Sequence, residues 1–486
     1  MKNSLLLITV FICGACTMIL ELVGSRLLAP FFGTTLYVWA GIIGVILGFM
    51  SLGYWIGGRL ADKGVDRDKL GKVIAFCSLS IALLAIIKNA VLYLVSSLPL
   101  SNTINGLLAT VLLFALPSAI LAMVSPIAFK LVLTDAKLVG KTSGNIYAFS
   151  TFGSIIGTFA AGFWLIPAFG NSIILSGVIF TLAILAILVC TKKITPLNVF
   201  MLATIIISCF FNLSVFSMSS QIIYEKESNY GSIWVQEFDN KRILQIDNGT
   251  ESGIYLDKDD LVFDYTNAYR LADYFNQNIQ NALTLGGAGY TWPTYFVNNK
   301  PNGTMDVVEI DPDVTEVAKE YFGLVLSDRL RTFHEDGRTF LNKNEKKYDA
   351  IYGDAYAGMT PPYNLSTVEA IKLIKNSLEP GGVFVSNIIS AIEGKNSKFL
   401  DAYYKTVSEA FGENIFLFTC QYERRSNERQ NILLFAINSE EPFEFYQTGS
   451  RIFSEYLSHN VRNIPNSSKI KALTDEHAPV EYLTAR

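Results

Sequence analysis

Histidine is nearly missing from this chain. His334, His459 and His477 are the only three in 486 residues, and they are scattered, which argues against a zinc centre or histidine-based catalysis. Cysteine is scarce too: Cys13, Cys16, Cys77, Cys190 and Cys209 lie in the first half and only Cys420 in the second. Their spacing gives no disulfide framework, so cysteine usage leaves the compartment open. Acids are few at the start. Residues 1–217 hold 13 Lys+Arg and only 5 Asp+Glu, a balance of +8; against a whole-chain charge of −4, residues 218–486 carry −12. An acidic soluble part argues against nucleic acid as a partner and suits a cationic substrate. Internal repeats and low-complexity segments are absent.

Long apolar runs are abundant in the first part. Seven can be read, at about 4–29, 38–60, 72–97, 106–133, 144–168, 171–191 and 196–217, each near or above the ~20 residues that cross a bilayer. The first is too long for a cleaved signal peptide, and further spans follow at once. Gly44/Gly48, Gly53/Gly57 and Gly153/Gly157 recur at four-residue spacing, which lets helices pack closely in lipid. Arg59, Lys63, Arg67, Lys69 and Lys72 follow the second span, Lys137 and Lys141 the fourth, and Lys192 and Lys193 the sixth, while the alternate loops carry no Lys or Arg. The positive-inside rule then makes the N-terminus cytoplasmic. Seven spans place residues 218–486 on the extracytoplasmic side; six, with 196–217 lying in the interface, would reverse this. The uncharged run NVFMLATIIISCFFNLSVF favours a full span. Glu21, Arg26 and Lys88 are charges in or near the apolar runs, where charge is costly and often functional.

The second part changes pattern twice. Residues 218–263 alternate apolar and polar, broken at Phe238-Asp239-Asn240-Lys241, which predicts a small antiparallel β-unit. Residues 264–486 alternate helix-like stretches (Val314–Tyr321, Thr367–Leu378, Phe399–Phe411) with short apolar strands. The strands are expected at Ala282–Leu285, Asp306–Ile310, Arg331–His334, Ala350–Tyr352, Val383–Ile388, Ile415–Thr419 and Ile432–Ile437, with a tight Pro380-Gly381-Gly382 turn into the fifth. Such alternation implies a mostly parallel, doubly wound α/β sheet.

Four motif elements fall at the carboxyl ends of successive strands, where such sheets bind ligands. Gly286, Gly287 and Gly289 form a glycine turn in LTLGGAGY, and Glu309 in VVEIDPDV follows Gly286 by 23 residues. Asp336 in HEDGR and Asp354 in YDAIYGDAY end the next two strands. A glycine turn lets a nucleotide approach the backbone, and an acid ending the next strand can grip ribose hydroxyls. Each element alone has a structural reading, as a tight connection or a loop cap. Together they predict a nucleotide-type ligand site.

These residues resemble the spermidine synthase (polyamine aminopropyltransferase) family over roughly 222–440. The apolar part, with ELVGSRLLAPFFG and SLGYWIGGRLAD, resembles the multi-pass extension fused to some synthase-like proteins. The resemblance implies an N-terminal all-α membrane bundle of about seven spans and a small β-unit. A C-terminal α/β Rossmann-like domain of the class I methyltransferase type follows. It implies decarboxylated S-adenosylmethionine, or S-adenosylmethionine, as cosubstrate and no metal. Gly286, Gly287 and Gly289 would lie beneath the nucleoside, Glu309 would bind its ribose, Asp336 with Gly337 would face the adenine, and Asp354 would be catalytic. The implied partners are a small amine or polyamine such as putrescine, a lipid bilayer and a second copy of the chain in a homo-dimer.

The chain departs from the family pattern in several places. Ala288 stands where an acid is usual, Gly231 follows Tyr230 where a glutamine is expected, and Ala357 and Gly358 replace a second loop acid. FDYTNAY lacks the expected His-Glu pair. Donor binding is thus expected to be kept while the acceptor side is altered, with Tyr265, Tyr269, Tyr356 and Tyr363 available to line it by cation–π contact. Two other readings stay open: a methyltransferase of the same fold using S-adenosylmethionine, and a non-catalytic transport or sensing protein that binds a nucleoside or polyamine.

Overall fold

The computed structural model describes residues 2–33, 36–133, 135–190, 221–247, 249–356, 360–420, 424–461 and 470–484. The chain forms two compact units, Met1–Ser220 and Gln221–Arg486. The boundary expected at 217 and the span expected at 196–217 lie outside the described residues.

The first unit consists of helices α1 (Lys2–Phe32), α2 (Leu36–Asp62), α3 (Arg67–Ser96), α4 (Asn102–Val132), α5 (Val139–Ala160) and α6 (Asn171–Val189). Among the described residues, six helices are long and apolar enough to cross a bilayer. Glycine sets how closely they pack. A Cβ at Gly53 would fall on the Ala119 carbonyl, and one at Gly57 would crowd the Met123 backbone, so α2 lies almost backbone to backbone on α4. Gly153 and Gly157 bring α5 equally close to Phe11 and Ala15 of α1. Gly44 and Gly48 have the same spacing yet meet nothing within 4 Å, because that side of α2 faces outward. Spacing alone cannot tell an inward face from an outward one. Lys88 is buried on α3 and donates to the Ser172 hydroxyl at 2.8 Å, while Glu21 and Arg26 are half-buried on α1. Cys13 and Cys16 form a CxxC pair on α1 that the sequence reading passes over; both are buried free thiols.

The second unit begins with an antiparallel sheet of β1 (Ile222–Glu227), β2 (Ser232–Phe238), β3 (Lys241–Ile246) and β4 (Gly249–Tyr255), in that order. Asp239 and Asn240, with φ of 50° and 60°, make the two-residue turn from β2 to β3, since short polar side chains tolerate the left-handed region that this hairpin needs. One irregularity interrupts the β3–β4 pairing. Leu244 pairs with Ser252 and Gln245 with Thr250, which leaves Glu251 as an extra residue in a β-bulge.

A seven-stranded sheet follows, built from β5 (Asn281–Leu285), β6 (Thr304–Val308), β7 (Leu330–Phe333), β8 (Tyr348–Gly353), β9 (Leu378–Ser390), β10 (Ile415–Thr419) and β11 (Gln430–Ile437). Their order is β10-β11-β9-β8-β5-β6-β7; β5 to β9 are parallel, and β11 runs antiparallel between β9 and β10. The crossovers contain α7 (Thr291–Asn299), α8 (Pro312–Tyr321), α9 (Gly337–Lys343) and α10 (Val368–Asn376), and α11 (Lys398–Phe411) links β9 to β10. Helices on both faces bury the central strands, which explains their near-continuous apolar runs. The strands stand close to their expected places, with one difference. β9 starts at Leu378, because Gly381 donates to the Asn438 carbonyl at 2.7 Å and Asn438 donates back to Gly382 at 2.9 Å. Those bonds make the Pro380-Gly381-Gly382 kink part of the sheet, whereas the sequence puts a turn ahead of it. Strand order reverses between β5 and β8, the place where doubly wound sheets open a ligand crevice.

Replacing Gly53 or Gly153 by valine is expected to cost about 3 kcal/mol by overpacking. Gly44→Ala and Gly48→Ala should be near neutral; thermal unfolding in detergent compares them.

Candidate functional site

The parallel ladder continues one rung beyond each strand and so places the candidate residues. Gly286 donates to the Val308 carbonyl at 2.9 Å, Glu309 to Phe333 at 3.0 Å and Asp354 to Leu285 at 2.9 Å. The glycine turn, Glu309 and Asp354 are therefore fixed at the ends of neighbouring strands around the crevice.

The turn is strained and tightly packed. Gly286 has φ of 98°, and a Cβ there would fall on the Asp354 carbonyl. A Cβ on Gly287 would lie 2.8 Å from the Tyr290 ring, and one on Gly289 would lie 2.6 Å from Cβ of Ser252. Ala288 and Tyr290 also take positive φ, 44° and 54°, a cost for residues with a Cβ. Glu309 holds this arrangement. Its Oε2 accepts the N–H groups of Gly287 at 2.9 Å and Ala288 at 3.0 Å, and its Oε1 accepts that of Asp311 at 2.9 Å. Oε1 keeps one acceptor direction for a further donor. Burial pushes this carboxyl above its usual range, and the three backbone donors oppose the rise. Tyr290 plugs the floor of the turn, with its hydroxyl 2.8 Å from Thr315 and 2.7 Å from Thr332.

Asp336 caps α9: its Oδ1 accepts from Thr339 N–H at 2.9 Å and its Oδ2 from Asn364 at 3.2 Å. Gly337 follows as the first residue of that helix, packed near Leu365.

Asp354 faces a cavity of about 260 Å³ whose wall includes Glu251, Tyr265, Tyr356, Asn387 and Cys420. Asn387 donates to its Oδ1 at 2.9 Å and accepts from Asn431 at 3.0 Å, so two amides orient the carboxylate. Burial raises the Asp354 carboxyl, while Asn387 and the phenols of Tyr269 and Tyr265 favour its ionised form. The Tyr269 hydroxyl is buried beside Asp354, in a cluster with Tyr265, Trp292 and Tyr352. Tyr363 lies apart, 56% exposed on a short helical turn outside the cavity wall. Ala357 and Gly358 lie outside the described residues.

Asn387 and Glu251 are among the cavity residues that escaped the sequence reading. Asn387 was signalled by a polar Ser-Asn pair inside the apolar strand VFVSNIIS. Glu251 carried only a weak signal, one acid at a break in strand alternation. Its carboxyl is pushed up to about 8, first by burial and then by the charges of Asp354, Glu309 and Asp247.

A reversed-order α/β sheet, a glycine turn held by a strand-end acid and an adjoining acidic cavity form the kind of crevice in which doubly wound sheets bind ligands. Residues 271–421 match the spermine/spermidine synthase domain. A polyamine aminopropyltransferase of Vibrio vulnificus is 32% identical over 211 residues, covering 41% of this chain and 69% of that one. A probable polyamine aminopropyl transferase of Bifidobacterium longum is 29% identical over 297 residues; the match covers 57% of this chain and 65% of the relative's length. The chain belongs to the spermine/spermidine synthase family. A solved structure of a probable spermidine synthase from Corynebacterium glutamicum is similar at 19% identity, with a TM-score of 0.45, over 53% of this chain and 97% of that one.

Replacing Glu309 by alanine is expected to speed amide exchange at Gly287 and Ala288 at least about tenfold, because both donors lose their acceptor. Unchanged protection in a hydrogen-exchange measurement would show that the turn holds itself.

Proposed function

We propose that this protein is a membrane-bound aminopropyltransferase. It moves an aminopropyl group from decarboxylated S-adenosylmethionine to an amine such as putrescine. The observation that carries the reading is the junction of the two half-sites. The glycine turn meets the Asp354 backbone so closely that Gly286 can bear no side chain, and the Asp354 carboxylate opens on the adjoining cavity. A donor over the turn and an amine in the cavity thus meet at one acid.

In this reading the adenosine lies over Gly286, Gly287 and Gly289, its ribose takes the free acceptor direction of Glu309, and Asp336 with Gly337 faces the adenine. The donor's sulfonium sulfur leaves as a neutral thioether, so the leaving group needs no proton. The amine must be neutral to attack, and the ionised Asp354 carboxylate takes its proton or holds it in line. Fixing amine, carbon and sulfur in one line supplies much of the remaining rate. The acidic balance of residues 218–486 favours cationic donor and acceptor alike. In this reading the six apolar helices anchor the enzyme in the bilayer, and the loop charges, with the 196–217 run of the sequence counted as a seventh span, favour the extracytoplasmic side for the catalytic unit.

Incubating the purified protein with the donor and a panel of amines, read by mass spectrometry, should yield an amine heavier by one aminopropyl group. Absence of that product with every amine would overturn the reading. Asp354→Asn should keep donor affinity while lowering kcat by roughly 100- to 10,000-fold. Reporter fusions made after residue 217 should report the extracytoplasmic side; cytoplasmic signals would mean six spans.

A further inference from the structure

The acids of the cavity outnumber what Asp354 alone requires. Glu251, Asp264 and Asp354 all line it, and among the described residues no Lys or Arg lines it. Glu251 reaches this wall through the β-bulge in β4. Leu244 pairs with Ser252 and Gln245 with Thr250, so the extra residue steps out of the regular alternation of the strand. Bulges next to active sites commonly re-aim one side chain in this way. The neighbouring Ser252 points elsewhere, its hydroxyl accepting the Gly289 N–H at 3.0 Å. One strand therefore touches the glycine turn with one residue and the cavity with the residue before it.

We infer that Glu251 is a second acceptor-binding carboxylate, and that it and Asp354 together hold the reacting ammonium group in the cavity. This rests on the transferase reading above and names the residue that completes the acceptor side.

The surroundings of Glu251 explain why a cation is needed there. Its charge faces Asp354 at the end of β8, Glu309 at the end of β6 and Asp247 before β4. The phenols of Tyr265 and Tyr356 are coupled to it as well, and Asp264 lines the same cavity. The Tyr265 hydroxyl donates at 3.3 Å to the Glu251 backbone carbonyl. A cation within a few ångströms of two carboxylates favours ionisation of both. Without one, burial and the neighbouring acids keep the Glu251 carboxyl protonated until the pH rises through about 8. Binding of an ammonium ion then expels that proton to solvent. In the transfer step the ammonium gives one proton to a carboxylate of the pair, and the freed lone pair forms the new C–N bond. The C–S bond breaks, and its electrons stay on sulfur as a neutral thioether.

The test measures proton release when 1,4-diaminobutane binds the full-length protein in detergent. Calorimetry at pH 7 in two buffers of different ionisation enthalpy gives the number, with the thioether nucleoside product present. Wild type should release about one proton per diamine bound, because a carboxyl with this raised pKa is mostly protonated at pH 7. Glu251→Gln should lose that release and bind the diamine at least about tenfold more weakly, while its nucleoside affinity stays unchanged. Asp354→Asn should keep most of the release. In turnover, the limb of kcat/KM for the amine that rises through about pH 8 should flatten in Glu251→Gln. Unchanged diamine affinity and proton release in Glu251→Gln would overturn the inference. Diamine binding with transfer to no amine would defeat the aminopropyl reading and uphold the acid pair. Transfer with a wild-type profile in Glu251→Gln would do the reverse.

Discussion

Three backbone N–H groups converge on the Glu309 carboxylate, and the geometry of the site follows from that convergence. Residues with positive φ at Gly286, Ala288 and Tyr290 cannot hold a turn by local preference alone. The buried acid supplies the missing restraint. It ties the turn after β5 to the start of α8 and keeps the turn's amides aimed inward. Because Glu309 also ends its strand at the crevice, one side chain shapes the ligand platform and faces it.

A second set of contacts joins the small sheet to the large one. Ser252 of β4 accepts from Gly289, and the missing Cβ of Gly289 lets the two backbones approach. The antiparallel β-unit is thus the outer wall of the crevice, while the strand ends of the parallel sheet form its floor. Asn387 of β9 reaches Asp354 from the other side and is itself held by the amide of Asn431 from β11. Elements far apart in sequence meet on that carboxylate.

Much of this was legible in the residues, for specific reasons. Apolar runs bounded by turn residues mark β5 to β11 because strands covered on both faces need no polar alternation. The strand-end positions of Glu309, Asp336 and Asp354 follow once those runs are drawn. Other features depend on tertiary contacts that no local pattern encodes. Gly44 and Gly48 share the spacing of Gly53 and Gly57, and only the packing of α2 on α4 separates them. Asp336 looks like a ligand acid in sequence and is also a helix cap. β9 reaches back to Leu378 because Asn438 pairs with the Gly381-Gly382 kink. Glu251 was missed because a bulge is a mismatch between two strands, visible only once their register is known.

That mismatch bears on how such a site can diverge. The bulge is one extra residue, so deleting Thr250 would let Glu251 pair with Gln245 while Leu244 kept Ser252, and β4 would become regular. The acid would lose its bulged direction into the cavity while the serine kept its place at the glycine turn, without any substitution at either. Strand length, counted in single residues, therefore acts as a coding variable here, separate from residue identity. Relatives that differ by one insertion at this hairpin need not share an acceptor even when their strand-end acids agree.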